Sequence, residues 1–518
     1  MLFNSYSFIF LFLPIVLIVF FIIGRWGHDR AAIAWLIVAS LFFYGWFNAA
    51  YLVLILGSVF FNYMLGMALF RKSANRKTLL TFGITINILL LGYFKYCNFF
   101  IENISNIVGS EFHVQHILLP LAISFFTFQQ ISYLVDIYRY EAKECSFLHY
   151  CFFITFFPKL IAGPIVRYKE LIPQLSQKII CRFNSENMSV GLTIFFIGLF
   201  KKVVIADSVA VYADPIFNVA ASGSMLTFLE AWGGALAYTF QLYFDFSGYT
   251  DMAIGIARMF GILLPINFYS PCKAVNIIDF WRRWHITLSR FLGDYLYIPL
   301  GGNRKGATRR YANLMITMVL GGLWHGAGWT FVAWGALHGL YLVINHAWHA
   351  FRQLLGQDIS RSTRLGRGLS QILTFVVVAI AWVFFRAESF SAGASIVQAM
   401  SGANGIALHQ VLVGKLGVVG HMLTEMGLRS EYILFYKWEA IWLLLLLLVV
   451  WFLPNTQKIL VRYKPTFDSY HGKFKCYEYN WQWLQWRPTY RWALFSAFVT
   501  VCSMLCLNRV SEFLYFKF

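Results

Sequence analysis

Apolar runs follow one another along the whole chain and are separated by short polar segments. Many runs are near-continuous over roughly 16–20 residues, the length at which a helix crosses a bilayer, whereas the strands of a membrane barrel would alternate. The pattern therefore predicts an all-α polytopic membrane protein with about 11–12 transmembrane helices. The predicted segments, by residue number, are 8–23, 31–47, 51–70, 78–96, 117–138, 190–212, 229–262, 311–330, 331–351, 369–385, 438–453 and 490–508.

Two further segments do not fit a simple span. The apolar stretch 150–162 is short and runs into the Pro and Gly residues of Phe157–Pro164, so we expect a re-entrant or interfacial segment. The stretch 263–310 mixes aromatic residues and arginines at helical spacing over 280–292, which predicts an amphipathic helix at the cytoplasmic membrane surface. The N-terminal run lacks a basic start and a small-residue cleavage site, so we expect a transmembrane helix rather than a removable signal peptide.

Charge and composition strengthen the membrane assignment. Hydrophobic residues make up 59% of the chain and charged residues 13%, with a mean hydropathy of +0.63, whereas soluble chains carry about 25% charged residues. The net charge of +19 does not indicate nucleic acid, because the basic residues cluster in short loops. Their asymmetry predicts that both termini lie outside the cytoplasm, and that the cytoplasmic loops are 71–77, 163–188, 263–310, 352–368 and 455–489.

A histidine lies within an apolar stretch of membrane-spanning length. His325 follows Trp324 and is surrounded by glycines in the predicted hairpin 311–351. Ionisable side chains at this depth usually face a cavity or a partner, and glycines permit a helix break that lines a cavity. His325 is therefore a candidate general base that takes a proton from an attacking hydroxyl. The alternative is a histidine that hydrogen-bonds across helices, and the motif alone does not choose between them.

A polar stripe runs along the predicted segment 229–262. Gln241, Asp245 and Tyr249 are spaced i, i+4 and i+8, and Ser247 and Asp251 form a second, shorter stripe. An unpaired carboxylate within a membrane is costly, so we expect a histidine, arginine or tyrosine partner for each aspartate. The stripe either supports a catalytic imidazole and the substrate path or packs helices together.

Two arginines lie between aromatic residues in the stretch Trp281–His285. The guanidinium groups of Arg282, Arg283 and Arg304 are candidates to bind the phosphates of an anionic donor, although such a block also anchors helices at lipid headgroups. His338, His346 and His349 follow on the next predicted helix. The sequence contains no metal-site or phosphate-loop motif, so we expect neither a metal nor a bound cofactor.

Several of these runs resemble, in the same order, the motifs of the membrane-bound O-acyltransferase family. Within that family the chain is similar to the bacterial branch that acetylates exopolysaccharides such as alginate. The resemblance extends from the start of the chain to its aromatic tail, Leu514–Phe518. The runs that carry it are Gln241–Asp251, Asp279–Ser289, Leu300–Arg304 and Leu320–Gly326.

The resemblance implies a ring of helices around a central funnel, folded as one domain, 1–518. It implies that His325 is the catalytic histidine and that His285 is the second histidine of the family. It also implies a bacterial inner-membrane enzyme, with acetyl-CoA as the cytoplasmic donor and extracytoplasmic accessory proteins that complete the O-acetylation of a polysaccharide such as alginate. Transfer of D-alanyl or another acyl group to a cell-wall polymer is the nearest alternative.

Two interpretations from other classes stay open on the sequence alone. A transporter could move a polar solute or a proton along a path lined by His and Asp, although no internal repeat of the kind found in many transporters is evident. A scaffold for a secretion complex would use the histidines only for packing.

Overall fold

The structure is a computed structural model that describes residues 1–71, 75–109, 117–141, 146–175, 181–358, 363–431, 433–434, 437–467, 481–508 and 513–514. Helices dominate these residues, and the strands among them form one short parallel pair, Ala407–His409 with Arg429–Glu431. This confirms the all-α fold class. Residues 468–480 of the predicted loop 455–489 and the tail residues 515–518 lie outside the described residues.

The helices follow the predicted apolar runs closely. The first half of the chain contains α1 (Leu13–Arg25), α2 (Asp29–Gly45), α3 (Ala50–Phe70), α4 (Arg76–Leu91), α5 (Cys97–Val108), α6 (Ile123–Tyr138), α7 (Phe147–Thr155), α8 (Phe157–Leu160), α9 (Tyr168–Leu175), α10 (Ser185–Phe200), α11 (Asp207–Ala221) and α12 (Phe228–Met259). The second half contains α13 (Ile277–Arg283), α14 (Ile286–Leu292), α15 (Gly306–His325), α16 (Trp329–Leu354), α17 (Arg364–Arg386), α18 (Phe390–Met400), α19 (Gln410–Leu416), α20 (Val418–Glu425), α21 (Lys437–Phe452), α22 (Thr456–Ile459) and α23 (Tyr490–Cys506).

Five helical stretches are long and apolar enough to cross a membrane: Ser7–Arg25, Ala50–Phe70, Arg76–Val108, Ser185–Ala221 and Arg364–Arg386. Three of them join an α-helix to a π-helical turn, namely Ser7–Phe12, Gly92–Tyr96 and Lys201–Ala206. The other predicted segments are also helical but are shorter or more polar than these five. The multi-helix membrane architecture is therefore confirmed, while the sidedness of the loops stays a prediction.

The chain divides into two compact units. One comprises Met1–Val203, Phe246–Asn267 and Thr456–Phe518, and the other comprises Val204–Asp245 and Phe268–Asn455. The division falls inside α12, which contributes residues to both. The sequence predicted a single domain, 1–518.

Buried amides connect three helices of the first unit. Asn62 of α3 and Asn87 of α4 each donate to the other's side-chain oxygen, at 3.2 and 2.7 Å. Gln130 of α6 accepts hydrogen bonds from Asn62 at 3.1 Å and from Ser58 at 2.8 Å. In a membrane the apolar side chains of neighbouring helices gain little from leaving lipid, so such polar contacts specify which helices pack.

The second unit contains the α15–α16 hairpin, with α13 and α17 packed on α16. Large aromatic residues fill this packing, and Trp334, Trp382 and Trp284 are almost fully buried. The region 387–437, which lies between two predicted membrane segments, holds α18, α19, α20 and the two short strands. Its helices are each 11 residues or fewer, so they produce no apolar run long enough to predict them from the sequence.

Two segments with unusual sequence patterns are broken. The stretch 150–162 forms α7 and α8 with a break at Phe156, so neither helix is long enough to span, as expected. The stretch 280–292 does not form the single surface helix that the sequence predicted. It is divided into α13 and α14 at Trp284 and His285, and most of it is buried, because its aromatic residues pack into the second unit instead of facing lipid headgroups.

Candidate active site

His325 is the last residue of α15 and is 5% exposed. The chain leaves the helix at once, because Gly326 adopts an extended conformation with φ −156° and ψ 147°. Helix α16 then begins at Trp329. The imidazole thus lies at a break between two helices, as the glycines around it indicated.

Close backbone contact holds the two helices of the hairpin together. A β-carbon at Gly322 would lie 3.1 Å from the Cα of Gly335 and would overlap the carbonyl oxygen of Phe331. A β-carbon at Gly335 would in turn lie 3.0 Å from the Cα of Val319. Only a residue without a side chain permits this approach, which fixes the position of His325 relative to α16.

Aromatic rings surround the His325 imidazole. The ring centroid of Trp334 lies 5.1 Å away at an interplanar angle of 87°, and that of Phe385 lies 5.3 Å away at 73°. The Trp324 ring is 5.0 Å away on the same helix. These rings restrict the orientation of the imidazole and reduce its contact with water, which strengthens electrostatic interactions within the site.

His285 lies beside His325. Their ring centroids are 6.2 Å apart, and Trp324 lies beside both rings. His285 is fully buried and adopts the left-handed conformation, with φ 42° and ψ 52°. Such backbone conformations are costly for residues other than glycine and often mark functional sites. Burial lowers the pKa of His285 to about 3, so the ring is neutral near pH 7.

His338 belongs to the same cluster, although its position in the sequence had not indicated a role in the site. It is fully buried on α16, with its ring centroid 4.8 Å from Trp334 and 5.1 Å from Trp281. Among the described residues, neither of its ring nitrogens has a hydrogen-bond partner. The spacing of Trp334 and His338, four residues apart on one helix face, was the available signal.

The predicted polar stripe lies on one helix, α12, but its members have different surroundings. Asp245 is 2% exposed and belongs to the second unit. Tyr249 belongs to the first unit, where its ring lies 4.9 Å from Phe3 and 4.5 Å from Phe513. The residues of the stripe are therefore divided between the two units, and only part of the stripe belongs to the unit that contains His325.

Asp251 has a complete set of partners within the first unit. Its carboxylate accepts hydrogen bonds from Lys201 at 2.6 Å, Thr456 at 2.7 Å and Gln457 at 3.1 Å. The expected histidine, arginine or tyrosine partner is wrong for this residue, since the cation is a lysine. Lys201 also donates to Thr456 at 2.8 Å, so Asp251 connects α12 to α22.

The three candidate arginines differ in availability. Arg283 is buried and donates to the Asp279 carboxylate at 2.9 Å and to the Tyr269 carbonyl at 3.3 Å, so protein groups occupy its guanidinium. Arg282 and Arg304 are exposed.

Further positive charge lies close to Arg282. Both Arg282 and Arg310 act electrostatically on His346, and the first turn of α15 contains no acidic residue. The start of α15 is therefore a concentration of positive charge, to which the helix dipole adds.

The second unit thus holds a buried histidine pair at a helix break, enclosed by aromatic rings. Residues 73–376 match the family model of MBOAT, the membrane-bound O-acyltransferase family. The chain belongs to this family and is a membrane O-acyltransferase.

Individual relatives cover most of the chain. It is 46% identical over 437 residues to a peptidoglycan O-acetyltransferase of Helicobacter pylori, covering 79% of this chain and 81% of the relative. It is 40% identical over 449 residues to a probable alginate O-acetylase AlgI of Pseudomonas aeruginosa, covering 83% of this chain and 82% of that protein. A teichoic acid D-alanyltransferase of Streptococcus thermophilus is 29% identical over 287 residues, 52% of this chain and 69% of the relative.

Proposed function

We propose that this protein transfers an acetyl group from acetyl-CoA, bound from the cytoplasm, to a hydroxyl acceptor that enters from outside, for O-acetylation of a cell-envelope polysaccharide. The observation that carries the proposal is the buried pair His285 and His325, at the broken end of a membrane helix and enclosed by aromatic rings.

His325 acts as the general base. It takes the proton of the acceptor hydroxyl while that oxygen attacks the carbonyl carbon of the thioester. A C–O bond forms, the C–S bond breaks, and the proton passes to the departing thiolate. The balance requires no oxidant, metal or further reactant.

His285 supports the same step from the other side. Its neutral ring carries one N–H, which can donate to a carbonyl oxygen as negative charge develops there. The ring centroids are 6.2 Å apart, a separation that suits two imidazoles hydrogen-bonded to one small acyl group, since each bond spans about 3 Å. Trp324 lies beside both rings.

Positive charge at the start of α15 suits an anionic donor. Arg282 and Arg304 are exposed, and Arg310 adds a third guanidinium. Guanidinium groups bind phosphates through paired hydrogen bonds. We assign the phosphates of acetyl-CoA to Arg282 and Arg304, and we regard Arg283 as a residue that supports the fold of α13 through Asp279.

The length of the similarity favours acetyl over D-alanyl transfer. The O-acetylating relatives match about four fifths of the chain, whereas the D-alanyl relative matches about half. The acceptor polymer is alginate or peptidoglycan. The sequence motifs suggest alginate, and the higher identity to the peptidoglycan relative adds peptidoglycan as a second candidate. The protein works in the bacterial inner membrane with an extracytoplasmic accessory protein that presents the acceptor.

The decisive experiment compares His325→Ala with the exposed control His28→Ala in reconstituted membranes that contain radiolabelled acetyl-CoA. We expect His325→Ala to lower acetyl transfer roughly 10²- to 10⁴-fold and His28→Ala to have no effect. Labelled alginate and labelled peptidoglycan fragments, added separately, identify the acceptor. Near-normal turnover by His325→Ala would refute the general-base role, and flux of a polar solute without labelled product would favour a transporter.

A further inference from the structure

An apolar groove runs along the surface of the first unit, whereas the histidine cluster belongs to the second. Its volume is about 800 Å³. One side is formed by the membrane-spanning stretch Ser7–Arg25 and the other mainly by α10. The residues that line it are Ile9, Leu13, Pro14, Leu17, Ile18, Phe21, Ile22, Arg25, Cys181, Arg182, Phe183, Met188, Leu192, Phe195, Phe196 and Met259.

The polar groups of this groove are concentrated at one end. Arg25 is at the end of α1, and Arg182 lies in the short segment before α10. Both are exposed, and neither makes an ion pair with any residue that the structure describes. The rest of the lining is apolar apart from the Cys181 thiol.

Close packing between α1 and the segment before α10 forms the charged end of the groove. A β-carbon at Gly24 would overlap the carbonyl oxygen of Cys181 and lie 2.8 Å from its Cβ, so this segment lies directly on α1. The thiol of Cys181 hydrogen-bonds the Asp29 carboxylate, and burial and that carboxylate raise the pKa of the thiol to about 12. Neither guanidinium forms an ion pair with Asp29 among the described residues, so both retain their capacity for another anion.

We propose that this groove binds an anionic glycerophospholipid, with its phosphate between Arg25 and Arg182 and an acyl chain along the apolar wall. From Ile9 to Ile22 the wall is about 20 Å long at 1.5 Å per residue. One leaflet of the hydrocarbon core is about 15 Å thick, so the wall accommodates a full acyl chain.

The charge pattern of the groove distinguishes a lipid from a protein occupant. A lipid has one anionic end and an otherwise apolar body, which matches two arginines at one end of an apolar wall. The loop-charge asymmetry predicts that both arginines face the cytoplasm, where the membrane surface is anionic.

The test uses the full chain reconstituted in nanodiscs of equimolar phosphatidylglycerol and phosphatidylcholine with identical acyl chains. Native mass spectrometry then measures which lipid stays bound after release. Each guanidinium near the surface contributes roughly fivefold, so we expect roughly 25-fold enrichment of phosphatidylglycerol over phosphatidylcholine. Arg25→Gln combined with Arg182→Gln should reduce the enrichment to the ratio of the bulk lipids.

Matched variants control for charge and bulk. Arg71→Gln combined with Arg364→Gln removes two exposed guanidinium groups elsewhere and should keep the enrichment. Leu17→Trp should displace both lipids by filling the groove, whereas Val53→Trp, at a position that is 77% exposed, should not.

Two results would overturn the lipid proposal. One is unchanged enrichment in the Arg25 and Arg182 double variant. The other is a dimer that dissociates in Leu17→Trp while no lipid is bound, which would show that a second copy occupies the groove. Neither readout depends on acetyl transfer, so failure here leaves the catalytic proposal unaffected.

Discussion

Replacing Gly335 with Ala tests whether the glycine contact of the hairpin positions the catalytic histidine. Gly335 lies on α16, directly after Trp334, and faces α15 about two turns from the helix end that carries His325. An added β-carbon would overlap the Met318 carbonyl oxygen and would lie 3.0 Å from the Cα of Val319. Both are backbone atoms, so no side-chain rotation relieves the overlap.

The magnitude follows from these contacts. Carbon atoms pack at about 3.5–4.0 Å, so the two helices must separate by roughly 0.5–1 Å. Overpacking of this kind costs roughly 1–3 kcal/mol of stability. Because Trp334 packs edge-on against the His325 ring at 5.1 Å, the displacement also moves the imidazole. A misplacement of about 1 Å at a reacting group lowers the rate roughly 10²-fold.

The assay pairs activity with thermal stability. Acetyl transfer by Gly335→Ala in reconstituted membranes gives kcat, and the apparent Tm in detergent reports the fold. Gly368→Ala is the matched control, since Gly368 lies in helix α17 of the same unit and its β-carbon would meet nothing within 4 Å. We expect the control to keep full activity and Tm, or to gain slightly in stability because Ala favours helices.

One result would refute the reasoning. If Gly335→Ala keeps normal kcat while Tm falls as expected, the close approach of α15 and α16 stabilises the fold but does not position His325. A fall in kcat with an unchanged Tm would instead indicate that α16 moves freely on α15.

Three other predictions concern the donor, pH and sidedness. Arg304→Ala should raise KM for acetyl-CoA without changing kcat, and unchanged donor dependence in steady-state kinetics would remove Arg304 from the donor site. Because the pKa of His285 is lowered in the folded protein, the unfolded chain takes up a proton on this histidine below about pH 6.5 and the folded chain does not. The free energy of unfolding therefore falls as the pH drops, by about 2 kcal/mol at pH 5. His285→Gln should therefore show a smaller fall in Tm between pH 7.5 and pH 5.0 than the unmodified protein, and an equal fall would contradict the buried neutral ring. A thiol at Lys305→Cys should resist impermeant reagents in intact cells, and efficient labelling from outside would reverse the predicted orientation.

The sequence by itself determined the class of structure. A bilayer requires that backbone groups be hydrogen-bonded within the segment, so near-continuous apolar runs are read reliably as helices. The positions of α1, α3, α4 and α17 follow the predicted runs to within five residues at each end. The Trp-His-Gly run around His325 was likewise evident, since a histidine among glycines and apolar residues is unusual at membrane depth.

The tertiary structure decided how short elements and side chains are used. The stretch 280–292 has the composition of a surface helix, yet its rings are buried and its backbone breaks at His285, because neighbours distant in the sequence provide the apolar surroundings.

Partner choice also depended on three-dimensional packing. The cation beside Asp251 is Lys201, 50 residues away, and Arg283 is occupied by Asp279 instead of being available to a donor. A one-dimensional pattern shows which residues must find partners, because leaving a charge unpaired in a membrane is costly. Which partner each finds depends on how helices approach, and at Gly322 and Gly335 that approach is set by the absence of two side chains.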